Sequence, residues 1–232
     1  MIKFTILFDN DIHESGLEVL WGFSCLIEVN NQKILFDTGS NGRVLLKNAQ
    51  KMGISFKDID ILFISHSHWD HIGGIDTIIE ENPDIIIIVP NTLSTHLIDD
   101  LKKLVKKVIV IDNKFTKLAS HLYSTGVIDN IEQSLVLKYK DELYLIIGCG
   151  HPGIEKIEKL THEYLKLPIK YVIGGLHLMH TAPKDIQKTI KNVQTKYITA
   201  THCTGDMAIG MFKIKYQENF YNGGVGAVIE FE

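Results

Sequence analysis

The chemistry in this chain gathers at Ser65-His66-Ser67-His68-Trp69-Asp70-His71-Ile72-Gly73-Gly74, an H-x-H-x-D-H run with three imidazoles and one carboxylate inside six residues. Neutral imidazole and carboxylate are the nitrogen and oxygen donors that zinc and iron accept. Burying so many titratable groups with no ion among them would be costly, which favours a metal site over a set of satisfied polar residues. Ligand-type residues recur at Asp37, His151, His177 and His202, each close behind an apolar stretch. His13, His96, His121 and His162 fall outside this pattern, and His180 lies just beyond its reach.

The elements that must position these side chains follow from the spacing of apolar residues. Ile61-Leu62-Phe63-Ile64 has strand length and composition, and Ile75, Ile78 and Ile79 recur at helical spacing, so the cluster sits where a buried strand hands over to a helix. Residues two apart in extended backbone share a face, so His66 and His68 can point at one spot while Asp70 and His71 reach it from the helix start. Upstream, residues 2–8 read as a strand. Residues 25–29 and 33–36 read as a hairpin turned by Asn30-Asn31 and ending in Asp37-Thr38-Gly39. Leu45, Leu46, Ala49 and Met52 predict a helix that stops near Gly53. A strand at 85–89, a helix near 93–106 and a strand at 108–111 follow.

The second half repeats the theme. Residues 133–139 and 142–147 form a hairpin leading into Gly148-Cys149-Gly150-His151-Pro152-Gly153. Ile154, Ile157, Leu160 and Tyr164 mark an amphipathic helix, and Tyr171-Val172-Ile173 a strand before Gly174-Gly175-Leu176-His177. Pro183 opens another helix, residues 197–201 form a strand before His202-Cys203-Thr204-Gly205, and residues 225–231 close the chain as a strand. No linker or low-complexity stretch interrupts the sequence, so a single domain over 1–232 is expected.

Composition bounds the function. The chain has 232 residues, 45% hydrophobic and 22% charged, enough for a sizeable core. A net charge of -4 argues against a general nucleic-acid binder, and Lys102, Lys103, Lys106 and Lys107 read as a solvated helix face. Three cysteines are too few and too odd a number for a disulfide framework, which points to a reducing compartment. The first residues lack a signal-peptide core, and the apolar runs are too short to span a bilayer. The expectation is a cytoplasmic protein with a small-molecule substrate and neither a nucleic-acid nor a membrane partner.

With these residues in place, the chain resembles the metallo-β-lactamase-fold superfamily over nearly its whole length. The resemblance rests on Asp37-Thr38-Gly39, the H-x-H-x-D-H cluster, Gly150-His151-Pro152-Gly153 and the late His202. Leu20-Trp21-Gly22-Phe23-Ser24, Gly148 to Ile154, Gly174 to Leu178 and Thr201 to Gly205 further resemble the branch of 7,8-dihydropterin-6-methyl-4-(β-D-ribofuranosyl)aminobenzene 5′-phosphate synthase-like proteins. The resemblance implies an α/β fold, a four-layer αβ/βα sandwich of two mixed β-sheets flanked by helices. It implies two divalent metal ions: one on His66, His68 and His151, the other on Asp70, His71 and His202. Zinc is the first expectation, with manganese or iron as alternatives. Asp37 would stand behind the ligands and accept a hydrogen bond from one of them.

The superfamily's usual bridging aspartate is missing, since no carboxylate lies between Gly174 and Pro183, and His177 holds that neighbourhood. His177 is then ligand, substrate hydrogen-bond donor or bystander, with the donor role the leading expectation. Trp69 either stacks on a substrate ring or packs. Thr204 opens a short helix that either binds a substrate anion or is simply capped. Strand parity turns Cys203 away from the face of His202 and makes it a small buried hydrophobe; Cys149, two before His151, stays open between hydrophobe and ligand. The function implied is a metal-dependent hydrolase or transferase acting on an anionic, phosphate- or pterin-containing small molecule through a metal-bound hydroxide, with Asp70 orienting the water and taking its proton. Five histidines and one aspartate leave positive charge on two divalent ions, which favours anionic oxygen over neutral amides. The alternatives are an iron-dependent oxygen-handling oxidoreductase of the same fold and a non-catalytic metal-binding protein.

Overall fold

A computed structural model describes residues 1–232. Met1–Asp112 with Gly223–Glu232 form one unit, and Asn113–Asn222 form a second.

In the first unit, β1 (Ile2–Phe8), β2 (Ser24–Val29) and β3 (Gln32–Phe36) make an antiparallel meander. Asn30 and Asn31 turn the β2–β3 hairpin with φ of 50° and 59°, the left-handed backbone that a two-residue hairpin turn demands. After α1 (Gly42–Lys51), the strand β4 (Ile61–Phe63) adds in parallel to β3. Two short helices, α2 (Trp69–Ile72) and α3 (Ile75–Glu81), lead to β5 (Ile86–Pro90), and α4 (Thr95–Leu104) leads to β6 (Lys107–Ile111), both strands again parallel to their neighbour. The last strand of the chain, Val228–Phe231, pairs antiparallel with β1 and completes a seven-stranded mixed sheet. Leu35, Leu62 and Ile87 from the sheet pack with Leu45 and Ala49 of α1, Ile75 and Ile78 of α3, and Ile98 and Leu101 of α4. α1 starts where the Asn41 side chain accepts from Arg43 N and Val44 N, as an N-cap should.

Two expectations change here. The helix read after the histidine cluster is split in two at Gly73-Gly74. A Cβ on Gly73 would lie 2.4 Å from the Ser40 carbonyl oxygen, so a glycine is needed for the cluster to approach the loop after β3. The closing strand is shorter than residues 225–231, because Gly224 and Gly226 hold φ of 104° and 93° and cannot pair as extended chain.

In the second unit, β7 (Thr116–Lys117), β8 (Leu122–Ser124), β9 (Leu135–Tyr139) and β10 (Glu142–Ile147) run antiparallel. α5 (Ile154–Leu165) leads to β11 (Ile169–Gly175), and α6 (Pro183–Asn192) leads to β12 (Tyr197–Thr201), both strands parallel to β10. The result is a six-stranded mixed sheet, order β12-β11-β10-β9-β8-β7. One row of residues crosses it, Val136 beside Leu145, Leu145 beside Val172, Val172 beside Ile198. That row packs with Ile154 and Ile157 of α5, Ile186 and Ile190 of α6, and Phe212 of α7 (Asp206–Tyr216). β7 and β8 are too short to carry a readable period, and α7 is longer than the short helix expected after Thr204. No helix is long and apolar enough to cross a membrane.

Candidate metal centre

The first unit builds its part from the ends of two parallel strands. Asp37 follows β3 and donates its backbone N–H to the Phe63 carbonyl at 2.8 Å, so the β3–β4 pairing carries on to the point where the chemistry starts. Its φ of 53° is a strained backbone for a non-glycine residue. That turn aims the buried carboxylate at the next loop. Oδ1 accepts from Ser65 N at 2.7 Å, and Oδ2 accepts from Ser65 Oγ at 2.6 Å and from His71 Nδ1 at 2.7 Å. Ser65 Oγ in turn lies 2.8 Å from His66 Nδ1.

This relay fixes two tautomers. The Ser65 hydroxyl spends its proton on Asp37, so its oxygen accepts the Nδ1 proton of His66. His71 gives its own Nδ1 proton to Asp37. Both rings therefore turn an unprotonated Nε2 outward, the form in which imidazole binds a metal. The ligand-type atoms of Asp37, His66 and His71 all lie within 4.8 Å of one another. The His66 ring lies 4.2 Å from that of His71 and 4.6 Å from that of His68. His71 Nε2 stands 3.7 Å from Asp70 Oδ2. Asp70 is held from behind by its carbonyl, which accepts from Phe23 N at 3.3 Å. Thr38 clamps the loop through His71 O, at 2.8 Å from its N and 2.9 Å from its Oγ1. The donor set of this unit thus fits a divalent metal. Trp69 stands among these buried groups but is itself 63% exposed.

The second unit carries its part on the loops after β10, β11 and β12. Gly148-Cys149-Gly150-His151 wraps around the buried Glu132 carboxylate. Oε1 accepts from Gly148 N, Cys149 N and Gly150 N at 3.0, 3.0 and 3.1 Å, and Oε2 accepts from His151 N at 3.0 Å. Four successive N–H groups are satisfied by one side chain, which sets the path of the loop. Glu132 went unassigned in the sequence. Its one signal is the Asp129-Asn130 turn, with φ of 55° and 57°, which folds Ile128 back onto Glu132.

His151 and His177 bring their rings to 4.3 Å, and both His177 and His202 hold left-handed backbone, φ 54° and 52°. Cys149, open in the sequence between hydrophobe and ligand, has its Sγ 3.6 Å from His202 Nε2. Gly148 and Gly150 take the chain out of extended form before His151. Cys203 as a neutral thiol donates to the Cys149 carbonyl at 3.3 Å. A hydrogen bond from Cys149 pulls it well below the usual thiol value, against its burial, and His177 adds to the pull; as a thiolate it would give up the bond to the carbonyl. The same contact with Cys203 raises His177 above the usual imidazole value, against its partial burial.

Thr204 is fully buried, and its Oγ1 accepts from Leu176 N at 3.0 Å, which steadies the loop that carries His177. A Cβ on Gly174 would fall 1.8 Å from the Ile147 carbonyl oxygen, so the ends of β10 and β11 approach too closely for a side chain.

Two mixed sheets flanked by helices, with histidines and carboxylates on the strand-end loops, define a metallo-β-lactamase fold. The model of the metallo-beta-lactamase superfamily matches residues 22–124. The chain is 31% identical over 264 residues, 90% of each chain, to the 7,8-dihydropterin-6-methyl-4-(beta-D-ribofuranosyl)-aminobenzene-5'-phosphate synthase of Methanocaldococcus jannaschii. It belongs to the metallo-β-lactamase superfamily. The crystal structure of Tm1679, a metal-dependent hydrolase of the beta-lactamase superfamily, matches with a TM-score of 0.82 at 25% identity, covering 100% of this chain and 99% of that one. A probable RNase of Methanocaldococcus jannaschii is 33% identical over 94% of this chain, which spans 52% of that protein.

Proposed function

We propose that this protein is a metal-dependent hydrolase that cleaves a small anionic substrate carrying a phosphate or a pterin. In this reading His66, His68 and His151 hold one divalent metal, and Asp70, His71 and His202 hold a second, with zinc the expected ion. The observation that carries it is the Asp37–Ser65–His66 relay together with the Asp37–His71 bond, which prepares two buried imidazoles as metal ligands. The relatives agree with it, since Tm1679 is described as a metal-dependent hydrolase and the Methanocaldococcus jannaschii relative is named for a compound that joins a dihydropterin to a phosphate.

When bound, a metal would supply acidification of water, to a pKa of roughly 7, and a positive field for the oxyanion that develops. The protein does the rest. Asp70, buried beside His71 Nε2, orients the attacking water and accepts its proton. His177, whose pKa is raised by its contact with Cys203, donates to the developing oxyanion or to a substrate phosphate. Trp69, exposed beside Asp70, offers a flat face to a substrate ring. Five histidines against one aspartate give the site a preference for anionic substrates.

The test is the metal content of protein purified without added metal, followed by hydrolysis of a phosphodiester reporter before and after chelation. About two equivalents of metal per chain and turnover that chelation abolishes and metal restores are expected. One equivalent of iron without hydrolysis would overturn the reading in favour of oxygen chemistry, and full metal without any turnover would favour a binding protein.

A further inference from the structure

We propose that Cys149 is a metal ligand in this chain, sharing an ion with His202 and supplying the anionic donor that the missing bridging aspartate leaves open; the inference rests on the metal reading above. Three observations on separate grounds support it.

The first is a distance. Zn–S of about 2.3 Å and Zn–N of about 2.0–2.1 Å at a tetrahedral angle put sulfur and nitrogen about 3.5–3.6 Å apart. Cys149 Sγ and His202 Nε2 are 3.6 Å apart, and both residues are buried.

The second is rigidity. A cysteine on a free loop would swing, whereas the backbone N–H groups of Gly148, Cys149 and Gly150 are all held by Glu132 Oε1, and the Cys149 carbonyl is held by Cys203 Sγ at 3.3 Å. His202 is as constrained on its side, in left-handed backbone directly after β12. Both donors are thus fixed at ligand separation by the protein itself, the preparation that a tight site requires.

The third is charge. Two divalent ions with Asp70 as their lone anionic ligand keep an excess of three positive charges before any water ionises. No carboxylate lies between Gly174 and Pro183 to offset it. A thiolate from Cys149 removes one of those charges. Binding forms the sulfur–metal bond, breaks the S–H bond and releases the proton to solvent, with no change of oxidation state. A sulfur donor also changes which ions the site retains, favouring zinc or iron over manganese.

X-ray absorption of the zinc-loaded wild-type protein tests this without reference to turnover. A sulfur shell at about 2.3 Å is expected. It should vanish in Cys149→Ser and persist in Cys203→Ala, and Cys149→Ser should weaken the more loosely held ion on the order of tenfold to a hundredfold. The cobalt-loaded protein gives a parallel reading, a sulfur-to-cobalt charge-transfer band lost in Cys149→Ser alone. Zinc bound by nitrogen and oxygen only in the wild type would overturn the inference and leave the metal reading standing; the short contact would then be an S–H···N hydrogen bond. A sulfur shell that survives Cys149→Ser would overturn it in favour of Cys203. A protein that takes up no metal would overturn both.

Discussion

Asp37 touches no substrate in the proposed mechanism, yet one carboxylate serves three donors on the loop that holds two ligands. Asparagine at this position keeps one oxygen and loses the charge, so it cannot accept from Ser65 Oγ and His71 Nδ1 as the carboxylate does. Asp37→Asn is expected to weaken metal binding by about 10–100-fold, read by competition with a chromophoric chelator. An unchanged affinity would separate the relay from metal binding. Asp70 is the contrasting case. Asp70→Asn retains an oxygen for the metal and loses the proton acceptor, so turnover should fall by more than metal occupancy does; near-normal turnover at full loading would remove it from proton transfer. His177→Ala distinguishes a third role. As a donor to substrate it should lower kcat and raise KM while metal equivalents per chain hold; recovery by excess metal alone would make His177 a ligand.

At the scale of elements, the site hangs on loops whose paths are set by buried polar side chains. Glu132 is the strongest case, with four N–H groups of the loop after β10 on one carboxylate. Leaving a buried N–H without a partner costs about 1–3 kcal/mol. Glu132→Ala should therefore lower stability by several kcal/mol if the loop stays closed. If the loop opens to water instead, less stability and more metal affinity is lost. Chemical denaturation and metal titration on the same variant separate these two outcomes. A variant with wild-type stability and wild-type metal affinity would show that Glu132 does not organise the loop.

For the molecule as a whole, the pH range of stability is a testable property, and one buried acid contributes to it. Glu158 on α5 is buried, and its carboxylate accepts from Gln194 N at 2.9 Å and Thr195 N at 3.1 Å. Burial pushes its pKa up from 4.5 to about 7, against the pull of those two N–H groups. The folded chain therefore holds this proton more tightly than the unfolded chain does. Its contribution to stability is complete below about pH 4.5 and is lost as the pH rises through about 7. At about 1.4 kcal/mol per pKa unit, the loss reaches about 3 kcal/mol at most. Thermal melts from pH 5 to 8.5 should show the wild type losing stability relative to Glu158→Gln, which does not titrate. Parallel curves for the two proteins would refute the assignment.

The sequence by itself determined the strands and the helices, because these depend on local order. Apolar runs of strand length gave β4, β5 and β11 within one or two residues, and Asn30-Asn31 specified its turn through backbone that few other residues adopt. The H-x-H-x-D-H run was legible because its histidines and aspartate come from one strand end and the helix turn beside it, so spacing alone puts them together. Tertiary structure decided what local order cannot carry. Ser65 and Asp37 lie 28 residues apart, and Glu132 lies 16 to 19 residues from the N–H groups it holds. A polar side chain's partner across such a gap has no periodic signature. Cys149 meets His202, 53 residues on, at 3.6 Å, and the Thr204 hydroxyl meets Leu176 N, contacts that no local pattern announces. Periodicity reports which face a side chain takes; only the folded chain reports what waits on that face.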